Sequence, residues 1–96
     1  MGPEPGAARG GEITVHLWAA AKAAAGTEQV SLPVNGSISL ADLVERVVEG
    51  RPDRLSAVLA GCAVLVGDRP VTTQDPAQVA LAPGDTVEFL PPFAGG

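Results

Sequence analysis

The chain has 96 residues, is 46% hydrophobic but only 3% aromatic, and carries a net charge of −5. This length fits one small domain, whose core has to be built mainly from aliphatic side chains. The negative charge argues against nucleic acid as a partner, because phosphate binding needs clustered Lys and Arg, and the arginines here are scattered among acidic residues.

Neither a membrane span nor a secretory route is expected from this sequence. No apolar run approaches the roughly 20 residues that cross a bilayer. The first residues also lack the basic and then apolar pattern of a signal peptide. The single cysteine, Cys62, excludes an internal disulfide. We therefore expect a cytoplasmic protein that does not associate with a membrane.

The N-terminal part predicts a leader and then a hairpin. Residues 1–11 are rich in Gly and Pro and have no apolar period, which predicts a disordered leader. Residues 13–18 and 28–34 alternate between apolar and polar side chains, so each is predicted to be a strand. The alanine-rich stretch 19–25 between them predicts a short helix that ends at Gly26. The two strands are expected to pair antiparallel.

Residues 37–50 give the clearest helical pattern in the chain. Ser39 is placed as the N-cap, with Asp42 three residues later. Gly50 and then Pro52 end the helix. One apolar stripe runs along it, formed by Leu40, Leu43, Val44, Val47 and Val48. Residues 55–60 are expected to add one or two further turns.

The C-terminal part predicts two more strands separated by turns. Residues 62–66 form a short apolar run typical of a buried strand, and residues 67–70 and 82–85 are predicted turns. Residues 86–90 form the last strand, with Val87 and Phe89 on one face and Glu88 and Leu90 on the other. The predicted order is β, β, α, β, β with one minor strand, and the helix packs its stripe on one face of the sheet.

The chain ends in Pro91-Pro92-Phe93-Ala94-Gly95-Gly96. Proline fixes φ and favours an extended chain, so residues 91–96 are predicted to project from a domain that spans residues 12–90. Glycine lacks Cβ, so the last two residues form a thin thread. Such a thread can enter a narrow active site on another protein and present its terminal carboxylate there.

This arrangement resembles the ubiquitin-like β-grasp sulfur carriers, the family of the molybdopterin synthase small subunit and the thiamine-pathway carrier. The likeness rests on the first strand with Ala-Ala-Ala-Lys at 19–22 and Gly26, on residues 81–90, and on the tail. The tail is most similar to the molybdopterin-synthase branch, which favours two prolines before the last four residues. The resemblance implies an α+β fold: a mixed sheet of four or five strands, one main helix across it, and a flexible Gly-Gly tail.

The same resemblance implies a function that is not catalytic by itself. The Gly96 carboxylate would be adenylated by a ubiquitin-activating-type partner and converted to a thiocarboxylate that donates sulfur, most simply in molybdopterin synthesis. The chain would bind no cofactor or metal, and ATP would be used by the activating partner. The second partner would be the sulfur-accepting large subunit of molybdopterin synthase or its equivalent.

Each tail residue has an expected role in that chemistry. Gly96 is the reactive residue and Gly95 its slim neighbour. Phe93 is the expected anchor in an apolar pocket of the partner, and the alternative is that its ring folds back onto its own sheet. The remaining expected partner contacts are Leu90, Pro91, Pro92 and Ala94.

Three other functions are compatible with the same residues. The same carrier chemistry would serve thiamine, cysteine or specialised-metabolite synthesis. A protein modifier would instead be joined to a lysine through Gly96, as in ubiquitin, and an interaction module would make no chemical use of the tail. A lone outward His16 is expected to take no part in chemistry, because it has no partners at ligand or acid–base spacing. Cys62 heads an apolar run and free cysteine is usually buried, so it is expected to be structural rather than a sulfur relay.

Overall fold

The computed structural model describes residues 10–92, so residues 1–9 and the last four residues, 93–96, lie outside the described part. In chain order the elements are β1 (Gly10–Leu17), α1 (Ala19–Ala25), β2 (Gln29–Asn35), β3 (Ile38–Ser39), α2 (Leu40–Val48), α3 (Asp53–Ala60), β4 (Ala63–Val66), β5 (Arg69–Pro70), a 3₁₀ turn (Pro76–Gln78), β6 (Ala80–Leu81) and β7 (Thr86–Leu90).

The main sheet has five strands in the order β2-β1-β7-β4-β5. β1 and β7 are parallel, whereas the β1–β2, β4–β7 and β4–β5 pairs are antiparallel. β3 and β6 form a separate two-stranded sheet. The prediction of an α+β fold with a mixed sheet and a helix across it is confirmed, and so is the antiparallel pairing of the first two strands.

β1 begins two residues earlier than the predicted domain boundary at residue 12. Gly10 pairs with Asn35 and Gly11 with Val34, so both glycines belong to the hairpin rather than to a leader. Apolar periodicity could not reveal this, because glycine has no side chain to show it. A Cβ at Gly11 would lie 2.9 Å from the Cβ of Pro83, so the close approach of the turn before β7 requires glycine there.

The hydrophobic core lies between the sheet and the helices. Ile13 and Val15 of β1 and Val87 of β7 are fully buried, as their alternation predicted. From the helices, Leu43 and Leu55 are equally buried against them. Most of the predicted stripe of α2 is in this core, while Val44 and Val48 are partly buried at its edge.

α2 is shorter than the predicted helix over 37–50. Ile38 and Ser39 pair with Leu81 and Ala80 as β3, so the helix begins only at Leu40. The predicted N-cap is confirmed, since the Ser39 hydroxyl accepts a hydrogen bond from the Asp42 backbone N–H at 3.0 Å. The local sequence therefore determined the cap, while strand pairing with a distant segment determined the residues before it.

The predicted turn over 67–70 is also shorter than expected. Only residues 67 and 68 turn, while Arg69 and Pro70 form β5 and pair back with Val66 and Leu65. A proline there is compatible with pairing because β5 is an edge strand. The turn over 82–85 and the last strand over 86–90 are where the sequence predicts them.

Replacing Ser39 with Ala should lower the free energy of unfolding by about 1 kcal/mol, because the first turn of α2 loses the acceptor for the Asp42 N–H. Urea unfolding followed by circular dichroism measures this. Ser37→Ala is the matched control, since Ser37 is exposed and precedes the cap. Equal losses for both variants would contradict a capping role for Ser39.

Candidate functional site

The last strand is held from both sides up to the residue where the tail begins. In β7, Phe89 pairs with Leu17 of β1 and with Val64 of β4, and Leu90 pairs with Ala63. One further hydrogen bond extends the pairing of β7 with β1: the Trp18 backbone N–H donates to the Phe89 carbonyl at 3.1 Å. We call Phe89 and Leu90 the foot of the tail. It lies on the middle strand of the five-stranded sheet, not on an edge strand.

Pro91 and Pro92 follow immediately and are exposed. Proline has no backbone N–H, so neither residue can continue the pairing of β7 with its neighbours. The chain consequently leaves the sheet at Leu90, as the sequence predicted. Phe93, Ala94, Gly95 and Gly96 lie outside the described residues, so their roles stay predictions.

On the face of the sheet opposite the core, apolar side chains lie beside this exit, with the Glu88 carboxylate among them. Directly opposed residues of paired strands share a face, and Leu90 is opposed to Ala63, Glu88 to Leu65, and Leu65 to Pro70. Leu65 and Leu90 are half-buried and Pro70 is exposed. We call Trp18, Leu65, Pro70 and Leu90 the outer patch. Leu90 therefore faces away from Phe89, as the alternation predicted, and its role in docking stays a prediction.

Trp18, like Leu65 and Pro70, is a member of this patch that the sequence did not single out. It is the exposed large hydrophobic side chain of residues 10–92, at 48% exposure. Its indole N–H donates to a Glu88 carboxylate oxygen at 3.2 Å, which holds the ring beside β7. The signal was present in the sequence, because the inward alternation of Ile13, Val15 and Leu17 leaves Trp18 outside the core.

The structure places Cys62 among the buried residues and His16 on the outer face of β1, opposite Glu88. Cys62 is buried, its thiol donates to the Val58 carbonyl at 3.3 Å, and burial raises its pKa above the ordinary value. The thiol is therefore kept protonated, which disfavours its use as a nucleophile. His16 alternates outward on β1 and is half-buried.

Two other kinds of feature are absent from residues 10–92. Nowhere in this part of the chain do three or more His, Cys, Asp or Glu side chains come together as a metal site would require. No helix of the described part is long and apolar enough to span a bilayer.

Comparison with known proteins identifies the family. The ThiS family model matches residues 15–96, which includes the whole of the tail. The chain belongs to the ThiS family. This confirms the resemblance to the ubiquitin-like sulfur carriers that the last strand and the tail indicated.

Three relatives illustrate the range of this ThiS-family fold. The molybdopterin synthase sulfur carrier subunit of Aspergillus niger is 30% identical over 82 residues, covering 85% of this chain and 91% of that protein. SAMP1 of Haloferax volcanii superposes with a TM-score of 0.69 at 25% identity, over 90% of this chain and all of that one. A chain from the complex of subunits 1 and 2 of the Helicobacter pylori molybdopterin-converting factor has a TM-score of 0.59 at 24% identity, over 88% and 99%.

The Cys62 thiol should react slowly with iodoacetamide in the folded protein and quickly after unfolding in urea, because it is buried and its pKa is raised. The raised pKa also fixes the sign of a pH effect. The unfolded chain releases the thiol proton first, so the stabilising contribution of Cys62 is complete below the ordinary thiol pKa and is lost as the pH rises toward the folded-state pKa.

The control for both measurements is a chain with Cys62→Ala and Ala23→Cys, which moves the thiol to an exposed position on α1. Its alkylation should be fast, and its unfolding free energy should lack the alkaline decline that the original Cys62 causes. Fast alkylation of Cys62 in the folded chain would contradict the structural role.

Proposed function

We propose that this protein carries sulfur on its C-terminus for molybdopterin synthesis. The observation that carries the proposal is the match of the family model through residue 96, joined to a last strand that is paired up to Leu90 and then released by two prolines. The sequence likeness to the Aspergillus niger sulfur carrier subunit supports molybdopterin as the product.

The proposed chemistry begins at the Gly96 carboxylate. This group is a poor acyl donor, because its leaving group would be oxide. In the first step a carboxylate oxygen attacks the α-phosphorus of ATP on an activating partner, the bond to pyrophosphate breaks, and an acyl-adenylate forms. The leaving group on the carbonyl carbon is now AMP, so a weak nucleophile is sufficient for the next step.

Sulfur then replaces AMP. Hydrosulfide attacks the acyl carbon, the bond to AMP breaks, and the thiol proton passes to solvent, which leaves a Gly96 thiocarboxylate. A persulfide donor reaches the same product in two steps: its terminal sulfur bonds to the acyl carbon, and a second thiol on the donor then breaks the sulfur–sulfur bond by forming a disulfide. The thiocarboxylate sulfur is the nucleophile that the accepting synthase uses.

In this scheme the chain is a co-substrate and the catalysts are its partners. ATP binds to the ubiquitin-activating-type enzyme, and the chain itself needs no cofactor. Because the activation consumes ATP, we place the protein in the cytoplasm. The accepting partner is the large subunit of molybdopterin synthase, a proposal supported by the Helicobacter pylori structure, in which subunits 1 and 2 form a complex.

The geometry of the foot explains how one short tail can serve two partners. Six extended residues after Leu90 reach about 20 Å, so the carboxylate can enter a deep pocket while the domain stays outside it. Phe93 and Ala94 would contact the pocket wall, and Gly95 would pass its narrowest part. The outer patch would contact the rim of the partner's pocket, since it lies beside the point where the tail begins.

A second function keeps the same activated carboxylate but transfers it to a lysine. The likeness to SAMP1, the small archaeal modifier protein 1 of Haloferax volcanii, favours this alternative. Carriage of sulfur to thiamine, cysteine or a specialised metabolite is a third possibility that differs only in the accepting enzyme. The products distinguish the first two functions. A carrier exchanges one carboxylate oxygen for sulfur, whereas a modifier becomes joined to a target protein.

Intact mass spectrometry after co-expression with an activating enzyme and a sulfur donor should reveal a species heavier by the difference between sulfur and oxygen. The control variants are Gly96 deletion and Gly95→Val, which should abolish this gain without changing urea unfolding, because the core of residues 10–92 is formed between Ile13 and Phe89. An unchanged mass with an active partner would overturn the carrier proposal, and lysine-linked adducts would support the modifier instead.

Leu90→Arg should weaken binding to the large synthase subunit by about tenfold or more, because a charge would be forced into the outer patch at the centre of the contact. Isothermal titration calorimetry measures the affinity, and urea unfolding of the free variant checks its fold. Ser31→Arg is the matched control: Ser31 pairs with Thr14 on the same sheet face but on the far edge strand β2. Equal weakening by both variants would place the interface elsewhere.

A further inference from the structure

An apolar groove of about 300 Å³ opens beside the foot of the tail, between α1 and α3. We call it the tail groove. Alanines face the groove from both helices, Ala20 from α1 and Ala57 from α3, and their short side chains leave space there. Its lining includes Trp18, Ala20, Ala57, Val58, Pro91 and Pro92. The lining residues include no Lys, Arg, Asp or Glu, so the groove suits an apolar group.

We propose that, when no partner holds the tail, the Phe93 ring of this chain packs in the tail groove in a substantial fraction of the molecules. Phe93 follows directly after Pro92, which itself lines the groove. Because Phe93 is covalently attached next to the groove, the effective concentration of its ring there is high. A free ligand of similar affinity would therefore compete poorly with it. The contact would be made within the free domain and does not depend on the chemistry proposed for Gly96.

The composition of the last four residues selects Phe93 as the occupant. Its ring is the single large apolar side chain among residues 93–96, and Ala94, Gly95 and Gly96 offer almost no side chain to compete with it. The terminal carboxylate has the opposite preference. Burying it in a groove without a cationic partner is costly, so the last residues stay in water while the ring is docked.

The docked state is expected to be only marginally stable. Burial of one aromatic ring provides a favourable free energy comparable to the cost of ordering the two or three residues that carry it. Docked and projecting tails are therefore both populated, and a partner that binds only the projecting tail has its apparent affinity reduced by the docked fraction. Trp18 links the two states, because it lines the groove and also belongs to the outer patch that a partner would cover.

Nuclear magnetic resonance of the full-length free chain tests the contact directly. The protein has two phenylalanines, and Phe89 is fully buried in the core, so the two sets of ring signals are separable. We expect nuclear Overhauser effects from the Phe93 ring to the Val58 and Ala57 methyl groups. We also expect the fluorescence of Trp18, the single tryptophan, to lie at longer wavelength in Phe93→Ala than in the original chain.

A pair of charge variants on α1 provides the matched control. Ala20→Glu places a carboxylate in the tail groove, whereas Ala23→Glu places it at an exposed position on the same helix that does not line the groove. The first should remove the Phe93 contacts, reproduce the fluorescence shift of Phe93→Ala and increase carboxypeptidase cleavage of the tail severalfold. The second should leave all three unchanged.

The proposal is overturned if Phe93 gives no Overhauser effect to the groove and Phe93→Ala leaves the Trp18 emission unchanged. It is equally overturned if the two glutamate variants behave alike. Neither result bears on the sulfur-carrier proposal, because all of these measurements use the free chain without ATP, a sulfur donor or a partner.

Discussion

The parallel pairing of β1 with β7 is the constraint on which the rest of this structure depends. It places the last strand between β1 and β4, in the interior of the sheet, so the C-terminal segment is paired on both sides until Leu90. Parallel strands require a long crossover connection, and here everything from α1 to β6 lies between them in the chain. Because the carboxyl ends of parallel strands meet at one edge, Trp18 and Pro91 lie side by side there. The tail groove exists for the same reason, since α1 begins just after β1.

The two faces of the sheet differ in what they contribute: one packs in the core, and the other carries the outer patch. Phe89 points into the core and is essentially buried, while its neighbour Leu90 lies on the opposite face beside Leu65 and Pro70. A substitution on the outer face is therefore expected to change docking more than folding. The same separation holds along the chain, because the core of the described residues ends at Phe89, before the two prolines. A reactive carboxylate can thus be placed at a chain end whose chemistry imposes no demand on the packing.

Competition around Trp18 would couple the two proposed states of the tail. Trp18 lines the tail groove, and its indole N–H donates to a Glu88 carboxylate oxygen on the outer face of the sheet. A partner that covers the outer patch therefore reaches the residue against which Phe93 would rest in the free chain. Release of the ring and capture of the tail then become one event, and the coupling requires no movement of the sheet. The domain would act as a rigid platform, and the tail would be the part that changes position.

The sequence by itself determined the elements whose signals are local. Alternating side chains located β1 and β7, the spacing of Leu43 and Val47 located α2, and Ser39 located its cap. The tail pattern also identified the family, because it depends on residue identities at adjacent positions. The tertiary structure decided the features that depend on segments far apart in the sequence. Gly10 and Gly11 joined β1, residues 38–39 became a strand, and Arg69 and Pro70 paired with β4, because backbone hydrogen bonds to remote segments leave no trace in side-chain periodicity. The place of Trp18 beside Glu88 and the groove between α1 and α3 likewise arose only when the parallel pairing brought the two strand ends together.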